Sequence, residues 1–314
     1  MEPTTTVHGI HHVTVISGDA QENLDFYTGP LGMRLVKKSI NQDAPRIYHL
    51  FYADGAGTPG TDLTFFPYPD ARRAKPGAGQ IVEVLLAIPT ESLDFWHVRL
   101  SDHGVRTQPV ETRFSETTLP FEDPHGLRLA LVATDDERDF TPWDDSPVPA
   151  EHQIRGMHGA RILLRDLGPT EALLTGPMGF EKIGEDGGWH RYGVDSGGSG
   201  RIVELRADPD AGRGSGGAGG VHHVAWRVRD DEEELAVRRA VEQFGLGPTQ
   251  PIDRFWFKSV YFREPGGALF ELATDGPGFD RDEDPGHLGE ALILPPWLES
   301  KRAQIEAALP PLSH

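Results

Sequence analysis

The segments Asp19–Met33 (DAQENLDFYTGPLGM) and Asp166–Phe180 (DLGPTEALLTGPMGF) are two copies of one pattern, 147 residues apart. Each begins with an aspartate of the kind that caps a helix, continues through an apolar stretch, and reaches a Gly-Pro turn before the next apolar segment. Internal repetition is the sequence sign of a fold built from copies of one unit. The pair therefore predicts a repeated architecture.

A second repeat has a spacing of 141 residues. Arg113-Phe114 corresponds to Arg254-Phe255, and Pro124 corresponds to Pro265. Together the two repeats divide the chain into four units, near residues 8–70, 78–135, 154–207 and 219–275. Each unit is typical of a strand, a helix and then two or three strands, which predicts an α+β fold.

The repeats also suggest domain boundaries. We expect an N-terminal half over residues 1–150, a C-terminal half over 151–276 and a tail over 277–314, with the acidic, proline-containing stretch 135–151 linking the halves. The glycine-rich stretch 211–220 (AGRGSGGAGG) lacks the ending of a phosphate-binding loop and is expected to be a flexible connector. The tail predicts a short amphipathic helix, Trp297 to Leu309, packed on a domain or subunit surface.

Composition excludes several classes of function. The chain of 314 residues has no cysteine, so disulfides and thiolate metal sites are excluded. Its formal net charge of −19 repels phosphate backbones and argues against nucleic-acid binding. No apolar run approaches the roughly 20 residues of a membrane-spanning helix, and the N-terminus has no secretion-signal pattern. We expect a cytoplasmic protein that does not bind membranes.

Two similar strand openings carry histidines, GIHHVT at residues 9–14 and GVHHVA at 220–225. His12, His223 and the apolar-flanked Glu271 form the residue set of an open non-heme iron site, two imidazoles and one carboxylate. At the repeat spacings of 147 and 141, these residues correspond to Gly159, Val82 and Ala130. Because sister units fold without them, the three residues are predicted to serve chemistry.

Other residues give weaker signals. Glu204 and, after it, Asp62 are rival carboxylates for the metal. Tyr261 corresponds to Pro120 and so varies like the predicted ligands, whereas Arg254 keeps an arginine counterpart and is as typical of a structural ion pair. His11 corresponds to His158, which favours a supporting role for His11. Side chains alternate along a strand, so His11 or His222 reaches the same cavity only if a bulge turns it inward.

These residues resemble the vicinal oxygen chelate superfamily, and within it the ring-cleaving dioxygenases of the hydroquinone type, over nearly the whole chain. The resemblance implies four βαβββ modules forming two open β-barrel domains, with the first and fourth modules building the metal barrel. It implies Fe²⁺, with Mn²⁺ as an alternative, bound by His12, His223 and Glu271. The supporting or catalytic positions that it implies are His11, Thr14, His222, Arg254 and Tyr261.

The expected function is therefore an Fe(II)-dependent ring-cleaving dioxygenase that uses O2 and a small aromatic diol, in a homodimer. The alternatives are an extradiol catechol dioxygenase, a glyoxalase-type lyase or isomerase with a fourth protein ligand, and a non-catalytic small-molecule binder. The last strand of the first unit (LTFF, residues 63–66) has no acid at its centre, which favours three ligands and an oxygenase. Four aromatic residues are expected in the core or as ring-stacking walls: Phe65, Phe66, Trp256 and Phe257.

Overall fold

The computed structural model describes residues 6–313, in which each of the four units folds as a strand, a helix and three strands. The first unit comprises β1 (Ile10–Ser17), α1 (Ala20–Thr28), β2 (Arg34–Asn41), β3 (Ala44–Ala53) and β4 (Asp62–Pro67). The second comprises β5 (Gln80–Ile88), α2 (Leu93–Asp102), β6 (Glu111–Arg113), β7 (Glu116–Glu122) and β8 (Arg128–Ala133). The predicted α+β class is confirmed.

The third unit comprises β9 (Gly156–Leu164), α3 (Gly168–Thr175), β10 (Glu181–Asp186), β11 (Trp189–Gly193) and β12 (Ile202–Ala207). The fourth comprises β13 (Gly220–Val228), α4 (Asp231–Gln243), β14 (Ile252–Asp253), β15 (Lys258–Arg263) and β16 (Leu269–Thr274). Short 3₁₀ helices lie at Thr90–Ser92, Phe279–Arg281, Pro285–His287 and Pro296–Lys301, and α5 (Arg302–Glu306) follows the last of them. The βαβββ unit that the resemblance implied is confirmed.

The strands form two curled sheets of eight strands each. One has the order β14-β15-β16-β13-β1-β4-β3-β2 and the other β10-β11-β12-β9-β5-β8-β7-β6. The antiparallel pairing of β1 with β13 joins the first unit to the fourth, and the pairing of β9 with β5 joins the third to the second. Each half of the chain therefore contributes one unit to each sheet. This is the pairing that the loss of the histidine and glutamate positions favoured.

Aspartates lie at the starts of both repeated helices, but only Asp19 acts as the N-cap, since the N-cap of α3 is Leu167. Asp19 caps α1 by accepting a hydrogen bond from the backbone N–H of Glu22 at 2.9 Å, as predicted. In the second copy, Asp166 accepts from the N–H of Gly168 at 3.0 Å, and the helix begins at that glycine. One apolar cluster runs through all four units, including Val15, Leu86, Ile162 and Val228.

The glycine-rich connector differs from the expectation of a flexible chain. It lies against the connector between the first two units, and Lys75 and Ser215 exchange backbone hydrogen bonds of 3.0 and 2.9 Å. Glycine permits this close approach, because a Cβ on Gly217 would lie 2.1 Å from the carbonyl oxygen of Arg72. The two connectors thus brace each other.

The tail also differs from the predicted helix. A 3₁₀ helix at Pro296–Lys301 precedes α5, which ends at Glu306 rather than Leu309. Leu294, Leu298 and Ile305 pack on Ile40 of β2, so the tail covers a strand of its own chain. No helix in the described part of the chain is long and apolar enough to cross a membrane.

Candidate metal centre

Two β-bulges place the paired histidines. Between β1 and β13, Ile10 lies opposite Trp226 but His12 lies opposite Ala225, so His11 is an extra residue in its strand. On the partner strand, His222 is extra in the same way, between the paired residues Val221 and His223. A bulge brings two successive side chains toward one face. The bulges that this required are present, and the rings of His11 and His222 contact those of His12 and His223, but neither His11 nor His222 lines the pocket beside the cluster.

Three side chains converge on the face of this sheet. Nε2 of His12 lies 3.2 Å from Nε2 of His223, and Oε2 of Glu271 lies 3.4 and 2.8 Å from these two atoms. All three residues are at most 3% exposed. They form the one group among residues 6–313 whose ligand atoms lie close enough together to hold a metal ion.

The donor set fits a divalent metal. Nδ1 of His12 lies 2.9 Å from Nδ1 of His11, and Nδ1 of His223 lies 2.8 Å from Nδ1 of His222. If Nδ1–H of His12 donates to His11 and Nδ1–H of His223 donates to His222, the Nε2 atoms of His12 and His223 each carry only a lone pair. Oε2 of Glu271 has no hydrogen-bond partner in the described chain, so three buried acceptors face one another. Cis ligands about 2.1 Å from one metal ion are separated by about 3 Å, which matches this triangle.

The surrounding groups favour this protonation state. Burial, followed by the charge of the neighbouring ligand histidine, lowers the pKa of His11 to about 3 and that of His222 to about 4, so both rings are neutral acceptors near pH 7. Burial by itself would raise the pKa of Glu271, but His12 and His223 hold it well below its usual value. Ser259 donates to Oε1 of Glu271 at 2.5 Å, which orients the carboxylate. Sequence reasoning missed Ser259.

A small pocket opens beside the three side chains, with a volume of about 40 Å³. This volume is enough for a few water molecules. The tip of the β2–β3 hairpin, residues 41–43, covers it, and Asp43 accepts from Nη2 of Arg254 at 2.9 Å. The lining residues are His12, Asn41, Gln42, Asp43, His49, Phe51, Phe66, His223, Arg254, Trp256, Phe257 and Tyr261.

Tyr261 and Arg254 both reach this pocket. The Tyr261 ring packs edge-on to His223 with ring centroids 5.7 Å apart, and the Arg254 guanidinium lies 5.4 Å from the centre of the Tyr261 ring. Burial and the nearby Glu271 charge raise the pKa of Tyr261 above its ordinary value, so its hydroxyl stays protonated. Arg254 thus combines the predicted ion pair with a place in the pocket wall.

The aromatic residues divide between the two expected roles. Phe66, Trp256 and Phe257 line the pocket. Phe65 packs in the core, with its ring centroid 4.4 Å from that of Tyr27.

The other sequence-predicted groups have distinct places. Thr14 lies in β1, and its Oγ1 is 2.7 Å from Oγ1 of Thr64 on the neighbouring strand β4. His222 also lines a separate cleft of about 650 Å³ between the two sheets. Asp62 is buried outside the metal cluster, where burial and then Asp54 raise its pKa well above its ordinary value.

The strand register identifies the missing fourth ligand. The bulge residues His11 and His222 are equivalent, so Thr14 is equivalent to Ala225. Thr14 lies opposite Thr64 on β4, just as Ala225 lies opposite Glu271 on β16. Thr64 therefore stands where a second carboxylate would complete a four-ligand site. Its hydroxyl bonds instead to Nε2 of His49 at 3.0 Å, a pocket residue that sequence reasoning missed.

The second sheet corrects one predicted correspondence. Val82 is the bulge residue of β5, which makes it the counterpart of His222, so the counterpart of His223 is Glu83 rather than Val82. The constant spacing of 141 fails because the loop after this strand differs in length by one residue. The other correspondences hold in the register.

The rival carboxylate Glu204 belongs to a buried ion-pair cluster in the same sheet. It accepts from Nε of Arg161 at 2.6 Å and Nη2 of Arg191 at 2.7 Å. Glu83 accepts from Nη1 of Arg113 at 2.7 Å. Arginine charges balance these acids without a metal.

Comparisons with known proteins agree with this geometry. A family model described as the Glyoxalase/Bleomycin resistance protein/Dioxygenase superfamily matches residues 9–131. MhqO of Bacillus subtilis strain 168, which bears the name of a ring-cleaving dioxygenase, is 43% identical over 96% of this chain and 96% of its own. A chlorohydroquinone/hydroquinone 1,2-dioxygenase of Sphingobium indicum is 36% identical, over 97% of each chain.

Solved structures are similar as well. A crystal structure from Bacillus subtilis, of a protein named as a dioxygenase, has a TM-score of 0.94 and 42% identity, covering 98% of both chains. Glyoxalase I from Zea mays has a TM-score of 0.64 and 16% identity, over 85% of this chain and 92% of its own, and it shares the fold alone. The relatives together support an oxygenase with a metal centre.

Proposed function

Because this chain belongs to the glyoxalase/bleomycin resistance/dioxygenase superfamily, we propose that it is an Fe(II)-dependent ring-cleaving dioxygenase acting on a hydroquinone-type diol. The co-substrate is O2. Mn(II), which accepts the same ligands, is the alternative metal. Two relatives support this choice of reaction, one named for ring cleavage and one for hydroquinones.

The observation that carries the proposal is the number of protein ligands, which is three rather than four. His12, His223 and Glu271 present three ligand atoms on one side, and Thr64 occupies the fourth corner without a carboxylate. Three protein ligands leave coordination positions for both a substrate oxygen and O2. A glyoxalase-type lyase or isomerase requires the fourth ligand, so the geometry disfavours that alternative.

Each side chain has a defined role in this proposal. His12, His223 and Glu271 hold the ion, which when bound would lower the pKa of a coordinated phenol and activate O2. His11 and His222 accept from the ligand imidazoles and fix their orientation. Tyr261, protonated beside His223, donates a hydrogen bond or a proton to the substrate. The aromatic side chains of Phe66, Trp256 and Phe257 in the pocket wall limit the access of water to the ion.

Oxygen uptake by anaerobically Fe(II)-loaded protein tests the proposal, with hydroquinone, methylhydroquinone and catechol given in parallel. We expect uptake to match the loss of hydroquinone mole for mole. Uptake with catechol alone would keep ring cleavage but replace the substrate class. Uptake with none of the three, at one iron per chain, would overturn the proposal.

A matched pair of variants controls this experiment. His223→Ala removes a ligand and should abolish both iron retention and uptake. His158→Ala removes a buried histidine from a bulge of the second sheet, the counterpart of His11, and should leave both unchanged. Loss of uptake in both variants would point to general destabilisation instead.

A further inference from the structure

His49 is a polar pocket residue with no role in the site described above. It lies in β3, and its side chain lines the pocket beside the metal cluster. Its ring packs against Phe51 and Phe66, with centroid distances of 3.8 and 4.4 Å. Only one ring nitrogen, Nε2, has a hydrogen-bond partner in the described chain, which is Thr64.

The first and fourth units are equivalent halves of the sheet that carries the candidate metal centre, and this internal symmetry explains the placement of His49. Phe51 lies opposite Thr64 in the register, and Tyr261 lies opposite Glu271. Two residues earlier in each strand stand His49 and Ser259, so these two residues are equivalent. Ser259 orients the Glu271 ligand, whereas His49 bonds to the threonine that replaces the fourth ligand. The imidazole is longer than a serine side chain, and it lines the pocket.

Counting donors decides which way the hydrogen bonds run. Oγ1 of Thr14, Oγ1 of Thr64 and Nε2 of His49 form a chain with links of 2.7 and 3.0 Å. If His49 donated to Thr64, one hydroxyl hydrogen of the fully buried pair Thr14 and Thr64 would lack an acceptor within this chain of hydrogen bonds. A buried donor without a partner is costly. The favoured direction is therefore Thr14 to Thr64 to His49, which leaves Nδ1–H of His49 as a donor to the pocket.

We propose that His49, held by Thr64 and Thr14, binds the substrate by donating a hydrogen bond from Nδ1 to the diol oxygen that is not on the metal. This inference rests on the proposed diol substrate. His49 bonds to Thr64, which occupies the position of the absent fourth ligand, just as Ser259 bonds to the ligand Glu271. His49 is not itself one of the three residues of the ligand cluster. Its Nδ1 has no hydrogen-bond partner in the described chain, so it is free to donate to a ligand in this pocket.

Anaerobic binding to the Fe(II)-loaded protein tests the proposal without turnover. Dissociation constants are measured for hydroquinone and for phenol, which lacks the second hydroxyl. Replacing the donor in His49→Phe should weaken hydroquinone binding roughly three- to tenfold, the worth of one neutral hydrogen bond, and change phenol binding little. His49→Gln, which keeps an N–H donor, should recover part of the preference.

The orienting role of Thr64 has its own readout. Thr64→Val should reduce the preference for hydroquinone, and the double variant with His49→Phe should be no worse than His49→Phe alone. Effects that multiply in the double variant would overturn the orienting role. Thr118→Val, a buried threonine of the second sheet, and His97→Phe, an exposed histidine of α2, serve as controls and should keep the wild-type ratio.

The outcomes separate the two proposals. The hydrogen bond to the far oxygen would be overturned if His49→Phe left the ratio of the two dissociation constants unchanged. This includes equal weakening of hydroquinone and phenol binding at unchanged iron content and melting temperature. Hydroquinone binding that depends on His49 but gives no oxygen uptake would overturn the proposed reaction alone. If the wild-type protein bound neither hydroquinone nor phenol, both proposals would be overturned.

Discussion

Glu83 stands at the register position in the second unit that His223 holds in the fourth. His223 lies opposite Thr14 and places Nε2 2.8 Å from Oε2 of Glu271. Glu83 lies opposite Arg161 and accepts from Arg113 at 2.7 Å. One position of a duplicated fold thus belongs to the candidate metal centre in one sheet and to an ion pair in the other.

The ion-pair cluster should matter for stability and not for the metal. Arg161 is 6% exposed and bonds to the fully buried Glu204. Arg161→Met should lower the free energy of unfolding by about 3–5 kcal/mol, because a buried charge loses a partner. Urea denaturation measures this, with iron content as the control. A loss below about 1 kcal/mol, or a loss of iron, would contradict the assignment.

His11 and His222, the outer histidines that contact the ligand histidines, should set metal affinity. His222→Phe removes the acceptor for Nδ1–H of His223, and such partners are worth about 10- to 100-fold in affinity. Competition with a chelator measures the change. Val82→Phe alters the same bulge position in the second sheet and should leave the affinity unchanged. Equal losses in the two variants would make His222 a packing residue.

Tyr261 should act on turnover alone. In Tyr261→Phe the ring still packs on His223, but the hydroxyl donor is lost. We expect the rate to fall about 10²- to 10⁴-fold at unchanged iron content, as for a lost proton donor. Steady-state oxygen uptake and metal analysis check both parts, with Tyr192→Phe in the second sheet as control. Metal loss in Tyr261→Phe would refute the role.

A buried acid on α4 should make stability depend on pH. Glu234 is fully buried, neither carboxylate oxygen has a hydrogen-bond partner in residues 6–313, and burial, then Asp231, raises its pKa to about 7. From pH about 4.5 to about 7 the unfolded chain releases this proton while the folded chain keeps it. Stability is therefore lost as pH rises through that window and stays lower above it.

Replacing this acid should remove that dependence. Glu234→Leu should gain about 1–3 kcal/mol more over the wild type at pH 8 than at pH 4.5. Urea titrations at the two pH values measure the difference. A gain that is the same at both values would show that Glu234 does not titrate in this range.

Much of the site could be predicted because its residues break a repeat. His12 and Glu271 stand out against Gly159 and Ala130 in sister units, and their loss also indicated which units share a sheet. His49 gave no such signal. Its structural counterpart is Trp189, the residue before His190, and His190 pairs with Leu205 as Leu50 pairs with Phe65. The hairpins before these positions differ in length, so no constant spacing connects His49 with Trp189.

The sequence by itself determined the four-unit architecture, the three residues of the candidate metal centre and the absence of cysteine ligands. Only the tertiary structure decided which face the outer histidines occupy, because each bulge exists only where β1 pairs with β13, some 200 residues away in the chain. It also decided that Thr64 takes the fourth corner and that His49 stands behind it. Register is a property of paired strands, and one inserted residue reverses the face of a side chain.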